Sequence, residues 1–428
     1  MEQEGVNPGI ADEDGQTPLL RAARKGHQGV VRILLERNDV NPNTADGDGR
    51  TLLSWASENA HVGVVKILLE RKDVNPNTAD KDSRTPLSWA AENGNEEVVK
   101  LLLEREDVNP DKADKFDATP LWRAADNGHE GVLRMLLERN DVNPDATDDI
   151  GQTPLSRAAE CGHEGVVRIL LDRGDLRGDV NPDASDMDGQ TPLSLAAQCA
   201  HEGVMMTLLE RNDVDPNTAS KRDQTPLLFA AGNGYERVVR KLLERNDVDP
   251  NAISDNGQTP LNWAAQGGHE GVMKILLERK DVNPDICDDE GKTPLSWAAE
   301  NGHEGAVRIL LERNDVNPEA PGRFGGTPLR LAVLNGHEGV VRILLERKDV
   351  NPDAPNKFGE SPILFAKRNK HYGIAKLLQD RVDFISRYAA SPRLTEFISP
   401  EPSELSGPSQ KDQQVLTVDD KTGSSLSR

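Results

Sequence analysis

Apolar and polar positions follow a pattern that recurs about every 34 residues along the chain. In the third unit of this pattern, Leu87 and Ala90 fall on one face of a helix. Ser88 and Trp89 fall on the other face. The second run of the unit, residues 98–103, is more apolar and is expected to be largely buried. Each unit therefore predicts two helices, and its apolar face can be buried only if neighbouring units stack.

A short motif marks the start of every unit. Thr-Pro-Leu, or a close variant of it, opens the units at Thr17, Thr51, Thr85, Thr119, Thr153, Thr191, Thr225, Thr259, Thr293, Thr327 and Ser361. Threonine is a good helix N-cap, and proline is tolerated in the first turn, where its missing N–H has no partner to lose. The spacing is 34 residues at every step but one, which is 38 because of a four-residue insertion near residues 175–179.

The full motif resembles the ankyrin repeat. It reads Asp-x-x-Gly-x-Thr-Pro-Leu-x-x-Ala-Ala-x-x-Gly-His and is followed by Val-Val-x-x-Leu-Leu over residues 12–384. The segment Leu-Leu-Glu-Arg-Asn-Asp-Val-Asn-Pro-Asp resembles the long arrays of filamentous fungi. Two departures leave the apolar positions intact: serine replaces the family's frequent histidine after Thr-Pro-Leu, and the loop is one residue longer. The resemblance implies an all-α solenoid of eleven stacked helix-turn-helix repeats with β-turn finger loops.

The two ends of the chain differ from the repeats. Residues 1–11 match the loop that closes a repeat and predict an incomplete leading repeat, so Leu19, Ala22 and Ala23 of the first repeat are expected to lack a neighbour. The last repeat carries polar substitutions typical of a cap. Residues 385–428 are rich in Ser, Pro and Gln, nearly neutral, and predicted to be a disordered tail.

Composition and charge exclude several classes of function. The formal net charge of −22 opposes binding to nucleic acid or to an anionic membrane. No run approaches the roughly 20 apolar residues of a membrane span, and the acidic start lacks the features of a signal peptide. Three cysteines imply no disulfide framework and favour a reducing compartment. We expect an intracellular, cytoplasmic monomer that binds neither nucleic acid nor membrane, with the nucleus as an alternative location.

Histidine and cysteine recur at fixed repeat positions. All nine histidines occupy the same position of the repeat, and Cys161 and Cys199 share a second position. Catalytic and metal-binding residues are singular or clustered in one place, so we interpret these residues as structural and expect no metal, cofactor or catalytic site. The histidines are expected to bridge the turn between the two helices of a repeat. Neighbouring repeats lie roughly 8–10 Å apart, too far for a disulfide between Cys161 and Cys199.

An arginine near the end of the second helix recurs in every repeat. These residues are Arg37, Arg71, Arg105, Arg139, Arg173, Arg211, Arg245, Arg279, Arg313, Arg347 and Arg381. A row of cations could follow a phosphate backbone, but an aspartate follows each arginine two residues later. We therefore expect each arginine to pair with its loop aspartate and to complement the helix C-terminus.

The first helix is where the repeats differ from one another. One position, predicted to be exposed, holds Trp55, Trp89, Trp263 and Trp297, and Trp122 lies one residue earlier in its own repeat. Carboxylates a turn later include Glu58, Glu92 and Glu300. Tryptophan beside a carboxylate suits a cationic side chain of a partner. Packing of each tryptophan against the neighbouring repeat is the alternative, and both remain open here.

The resemblance implies an interaction scaffold, since no catalytic constellation is present. We expect a non-catalytic adaptor that binds protein partners, with basic or extended segments, through the concave groove and finger loops. The expected contact residues are Trp55, Glu58, Trp89, Glu92, Trp122, Trp263, Trp297 and Glu300. The alternative is the partner-sensing C-terminal portion of a larger signalling or immune-receptor-like protein, which the incomplete leading repeat motivates.

Overall fold

The computed structural model describes residues 11–13, 15–37, 40–172, 180–323 and 325–389, and within them it contains 22 helices and no β-strand. The helices form eleven consecutive pairs, one for each predicted repeat. In chain order they are α1 Pro18–Arg24, α2 Gln28–Leu35, α3 Leu52–Glu58, α4 Val62–Leu69, α5 Pro86–Glu92, α6 Glu96–Leu103, α7 Pro120–Asp126, α8 Glu130–Leu137, α9 Pro154–Cys161, α10 Glu164–Leu171, α11 Pro192–Gln198, α12 Glu202–Leu209, α13 Pro226–Gly232, α14 Glu236–Leu243, α15 Pro260–Gly267, α16 Glu270–Glu278, α17 Pro294–Asn301, α18 Glu304–Leu311, α19 Pro328–Asn335, α20 Glu338–Glu346, α21 Pro362–Arg368 and α22 Tyr372–Ala389. The all-α solenoid expected from the sequence is confirmed.

A threonine cap sets the start of the first helix in repeats 1 to 10, whereas Ser361 before α21 makes no side-chain capping hydrogen bond. In α5 the hydroxyl of Thr85 accepts a hydrogen bond from the N–H of Ser88 at 3.2 Å. The hydroxyl of Ser88 accepts one from the N–H of Thr85 at 3.3 Å, which closes a reciprocal cap. Serine therefore satisfies the cap at the position where the resemblance led us to look for histidine.

The core is a continuous layer between neighbouring repeats. Ala90 and Ala91 of the first helix are buried, as are Val98 and Val99 of the second. Ser88, on the opposite face of the first helix, is also fully buried. A first helix of seven or eight residues lies between the first helices of two neighbours, so more than one of its faces is covered.

The loops between repeats form the predicted finger turns. The Asp80 carboxylate accepts hydrogen bonds from the N–H groups of Asp82 and Arg84, both at 2.9 Å, and holds the turn closed. Neighbouring fingers are joined by a backbone hydrogen bond, as between the N–H of Lys81 and the carbonyl of Asp48 at 2.9 Å. The fingers therefore form a row in which each tip is fixed against the next.

The chain divides into two units, residues 1–379 and residues 380–428. Helix α22 runs past the predicted array end at residue 384 to Ala389.

The expectation that Leu19, Ala22 and Ala23 lack a neighbour is wrong: all three are buried, because α1 packs on α3 of the second repeat. The predicted leading loop up to residue 10, the insertion near residues 175–179 and the predicted tail from residue 390 lie outside the described residues.

Candidate partner-binding surface

The histidines connect neighbouring repeats. His163 precedes α10, and its Nε2 donates a hydrogen bond to the carbonyl of Asp126 in the preceding repeat at 2.9 Å. Its ring lies against Gly128, where an added Cβ would come within 2.8 Å of the imidazole. The structural role is confirmed, but the bridge crosses to the neighbouring repeat instead of spanning the turn of its own. The same link is made by His61, His129, His201, His269, His303 and His337.

The arginines of the second helices are paired as predicted in eight repeats, while Arg173 and Asp39, the partner predicted for Arg37, lie outside the described residues. Arg279 donates two hydrogen bonds to the carboxylate of Asp281, at 2.9 and 2.6 Å, and a third to the carbonyl of Leu243 at the end of the preceding second helix. Hydrogen bonding to Arg279 holds the pKa of Asp281 below its usual range. The ion pair recurs at Arg71, Arg105, Arg139, Arg211, Arg245, Arg313 and Arg347. These guanidinium groups stabilise the stacking of repeats, and their N–H donors already have acceptors within the chain.

The cysteines are free thiols, and burial raises the pKa of both Cys161 and Cys199. Within the described part of the chain, no three His, Cys, Asp or Glu side chains are placed to hold a metal ion.

Three positions of each repeat form one surface, which we call the first-helix strip. They precede the capping residue by one, follow it by four and follow it by seven. In repeats 2 to 9 the strip consists of Arg50, Trp55 and Glu58; Arg84, Trp89 and Glu92; Ala118, Arg123 and Asp126; Gln152, Arg157 and Glu160; Gln190, Leu195 and Gln198; Gln224, Phe229 and Gly232; Gln258, Trp263 and Gln266; Lys292, Trp297 and Glu300.

In repeat 2 the chain supplies its own cation to the tryptophan and the carboxylate. The guanidinium of Arg50 lies 4.6 Å from the ring centre of Trp55 and 3.7 Å from that of Trp89. The same group donates a hydrogen bond to Glu58 at 2.9 Å. A cationic side chain of a partner would therefore meet a tryptophan face and a carboxylate that Arg50 already contacts.

Repeats 3 and 9 repeat this arrangement. Arg84 donates to Glu92 at 2.8 Å and lies over Trp89 at 4.6 Å. Lys292 lies 2.7 Å from a carboxylate oxygen of Glu300 and 4.2 Å from the ring centre of Trp297.

The indole N–H groups have different partners. Trp55 donates to Asp46 at 2.8 Å, and Trp89 and Trp297 bond in the same way to the equivalent aspartates of their own repeats. Serine replaces that aspartate before Trp263, as Ser254, and no described acceptor lies within hydrogen-bonding distance of the buried Nε1 of Trp263. Trp263 instead meets Phe229 edge to face at 6.1 Å between ring centres.

Exposure divides the predicted contact residues into two groups. Trp89 and Trp122 are each only 7% exposed, and the N–H of Trp122 donates to the carbonyl of Gln152 at 3.1 Å. The expectation that Trp89 is exposed is therefore wrong, because Arg50 and Arg84 cover its ring. Trp55, Trp263 and Trp297 are half-buried, as are Glu58, Glu92 and Glu300. Partner binding by these residues stays a prediction.

The middle of the first-helix strip carries no charged side chains. In repeats 6 to 8 the strip positions are glutamine, glycine or apolar, and Gln190 donates a hydrogen bond to Gln198 at 2.5 Å. Leu195 and Phe229 are buried there. The strip thus changes from ionic, in repeats 2 to 5, to uncharged, in repeats 6 to 8.

Exposed apolar residues at three finger tips were missed from the sequence. Phe116, Ile150 and Met187 stand at the tips of consecutive fingers. The fingers before repeats 2, 3, 7, 8 and 9 carry charged or amide residues at the position of Phe116, whereas those before repeats 10 and 11 carry Phe324 and Phe358. The sequence signal was the loss of charge at the loop position three or four residues before the capping threonine, which attracts attention only when neighbouring repeats are aligned.

The family comparison agrees with the geometry. A family model described as ankyrin repeats in three copies matches residues 1–80, 72–148, 140–220, 176–254, 227–320 and 314–387. A comparison with curated proteins gave no significant match. Among the described helices, none combines the length and the apolar character that crossing a bilayer requires.

Proposed function

Since the chain belongs to the ankyrin repeat family, whose repeats generally act as protein–protein interaction modules, we propose that it is a non-catalytic scaffold that binds protein partners along the first-helix strip and the adjoining finger tips. The partner contributes an extended or basic segment. Such a segment suits the array because it can follow several repeats, each adding about 10 Å of length.

One observation carries this proposal: the strip changes its chemistry from repeat to repeat while the structural positions stay constant. The interface alanines, the bridging histidines and the Arg–Asp pairs recur through the array. The strip changes from paired ions to amides and apolar side chains. Variation on a constant scaffold is typical of a binding surface, because residues that only hold the stack are constrained in every repeat.

The half-buried tryptophans provide the contact residues of this proposal. Trp55, Trp263 and Trp297 each offer part of an aromatic ring, and tryptophan is enriched among residues that dominate binding energy. A basic partner side chain would compete with Arg50 for Glu58 and with Lys292 for Glu300. Exchange of one exposed ion pair for another yields little net energy, so aromatic packing supplies more of the affinity than the carboxylates do.

Cross-linking of captured partners tests the proposal. The chain carries exposed lysines on two sides: Lys115 and Lys221 lie at the finger tips, and Lys66, Lys100 and Lys274 lie on second helices. Partners captured on the intact chain from cell extract are treated with a lysine-reactive cross-linker and identified by mass spectrometry. We expect cross-links at the finger lysines. Cross-links confined to the second-helix lysines would contradict the proposed surface.

A variant pair tests the tryptophans. We expect Trp55→Ala/Trp297→Ala to weaken binding of a captured partner at least about tenfold, since loss of a buried interface tryptophan removes about 2 kcal/mol or more. Lys66→Ala/Lys274→Ala, on the second helices, serves as the matched control and should bind normally. Circular dichroism verifies that both variants are folded. Unchanged affinity of the tryptophan variant would mean that these residues only pack.

A further inference from the structure

Three neighbouring finger tips present apolar side chains to solvent. Phe116, Ile150 and Met187, in repeats 4 to 6, are 43%, 50% and 63% exposed. Their tips are adjacent because the N–H of Asp149 donates to the carbonyl of Phe116 at 2.9 Å, and the N–H of Met187 donates to that of Ile150 at 3.0 Å. We call these three residues the finger patch.

The finger patch differs from the tips on either side of it. The position of Phe116 and Ile150 holds Asp48 and Asp82 in the two preceding fingers and Asp188 in the next one. The position of Met187, one residue earlier in its finger, holds Lys221 and Asp255 in the two fingers that follow. An apolar residue in solvent contributes nothing to the fold, and single exposed apolar residues need no explanation. Three on consecutive tips that are joined by backbone hydrogen bonds stand in one row, and a group of exposed apolar side chains is the kind of feature that marks an interaction site.

The surroundings of the patch are acidic. Asp117 and Asp149 are exposed at the same tips, and no described basic group lies within ion-pairing distance of either. The cations at the patch edges are engaged: Lys115 pairs with Asp82 at 2.8 Å and lies 4.9 Å from the ring centre of Phe116, and Lys221 pairs with Asp188 at 3.1 Å. A partner segment that covers the apolar side chains therefore encounters negative charge that positive side chains would neutralise.

We infer that the finger patch is a docking site for a partner segment that combines apolar side chains with lysine or arginine. The apolar side chains cover Phe116, Ile150 and Met187, while the basic side chains face Asp117 and Asp149. This inference rests on the proposed function and adds the chemistry of the partner and its place on the array. The patch lies in repeats 4 to 6, between the half-buried tryptophan of repeat 2 and those of repeats 8 and 9, so an extended partner can contact both.

Peptide selection tests the inference with a defined probe. A random peptide library displayed on phage is selected against the intact chain, and the enriched peptides are synthesised and titrated individually. We expect peptides that carry both aliphatic or aromatic residues and lysine or arginine. Phe116→Ser/Ile150→Ser/Met187→Ser should weaken their binding at least about tenfold, as expected when central apolar contacts are lost. Asp117→Asn/Asp149→Asn should weaken binding most at low salt, where unscreened charge contributes most.

A matched control variant replaces three exposed apolar residues elsewhere. Ile33→Ser/Ile253→Ser/Phe358→Ser removes similar surface from other repeats and should leave peptide affinity unchanged, with circular dichroism verifying the fold. Peptides that bind the finger-patch variant as well as the original chain would overturn the inference, as would enriched peptides that are acidic or an absence of enrichment. The cross-linking experiment is independent, so the proposed function can stand where this inference fails.

Discussion

One side chain in the loop after each second helix links two neighbouring repeats, and its chemistry varies between amide and carboxylate. Asn251 accepts a hydrogen bond from the N–H of Asn283 at 3.0 Å and donates one to the carbonyl of Asp281 at 2.7 Å. Its counterpart one repeat later, Asp285, accepts from the N–H of Asn317 at 2.8 Å, but its second oxygen is buried without a described partner. The carboxylate therefore makes one of the two links that the amide makes.

The pKa of Asp285 reflects this difference. Burial raises it above the usual range, the hydrogen bond from the N–H of Asn317 opposes the rise, and the nearby Asp315 adds to it. A raised pKa in the folded state means that the ionised form is disfavoured on folding. The stabilising contribution of the protonated form is present below the ordinary pKa and is lost as the pH rises through the folded-state pKa.

We predict that Asp285→Asn stabilises the protein at neutral pH. The new amide should donate to the carbonyl of Asp315 and add about 1 kcal/mol to the free energy of unfolding, as a typical hydrogen bond does. The gain should shrink as the pH falls toward about 4, because the protonated carboxyl can donate the same bond. Urea unfolding of both chains across this pH range measures the difference.

The reverse substitution in the preceding repeat is the control. Asn251→Asp should destabilise the protein at neutral pH by a similar amount and much less at low pH. Equal stability of the Asp285→Asn variant and the original chain at neutral pH would show that solvent, and not the carbonyl of Asp315, satisfies the second oxygen.

At the scale of the element, most second helices are fastened to the preceding repeat at both ends. The residue before the second helix is usually histidine, and its side chain donates a hydrogen bond to the end of the first helix of the preceding repeat. The arginine that follows the second helix donates a hydrogen bond to the end of the second helix of the preceding repeat. Asn95 occupies the histidine position before α6 and donates to the carbonyls of Ser57 and Glu58 at 2.8 and 2.9 Å. The chain thus contains its own evidence of which substitution the site tolerates.

We predict that His163→Ala lowers stability and that His163→Asn largely retains it. Alanine leaves the carbonyl of Asp126 without its donor and a void beside Gly128, which should reduce the free energy of unfolding by about 1–3 kcal/mol. Asparagine can reproduce the bonds of Asn95. The urea midpoints of the two variants measure the effect, and an asparagine variant as unstable as the alanine variant would mean that imidazole packing, and not the hydrogen bond, is required.

At the scale of the whole molecule, stability is a sum over neighbouring repeats, so coverage at the ends matters. In α2 only Val31 and Leu35 are buried, while Val30 and Ile33 are 48% and 65% exposed. The second helix of repeat 10, α20, buries five apolar residues. The second helix of the first repeat, α2, is therefore packed less tightly than α20.

We predict that the amides of α2 exchange with solvent hydrogen faster than those of α20. Little burial of apolar surface makes local opening inexpensive in free energy, and exchange proceeds through such openings. Hydrogen–deuterium exchange of the intact chain, followed by mass spectrometry, compares the two helices directly. Protection of α2 equal to that of α20 would show that the exposed apolar residues of α2 do not limit its stability.

The sequence by itself determined the repeat boundaries, the pairing of helices and the structural use of the recurring residues. Thr85 and Pro86 mark a helix start through local chemistry, and Arg279 and Asp281 are close enough in sequence to meet in any repeat. A feature present in every unit must serve the stack, which identified the histidines as structural without showing where they bond.

Only the tertiary structure decided what each unit presents to its neighbours. It placed Arg50 between Trp55 and Trp89, buried Ser88, directed His163 across to Asp126, and brought the tips that carry Phe116, Ile150 and Met187 into one row. The surface available to a partner therefore followed from the structure. The physical reason is that these contacts join residues about one repeat apart, so their geometry depends on how repeats stack and not on the pattern within any one of them.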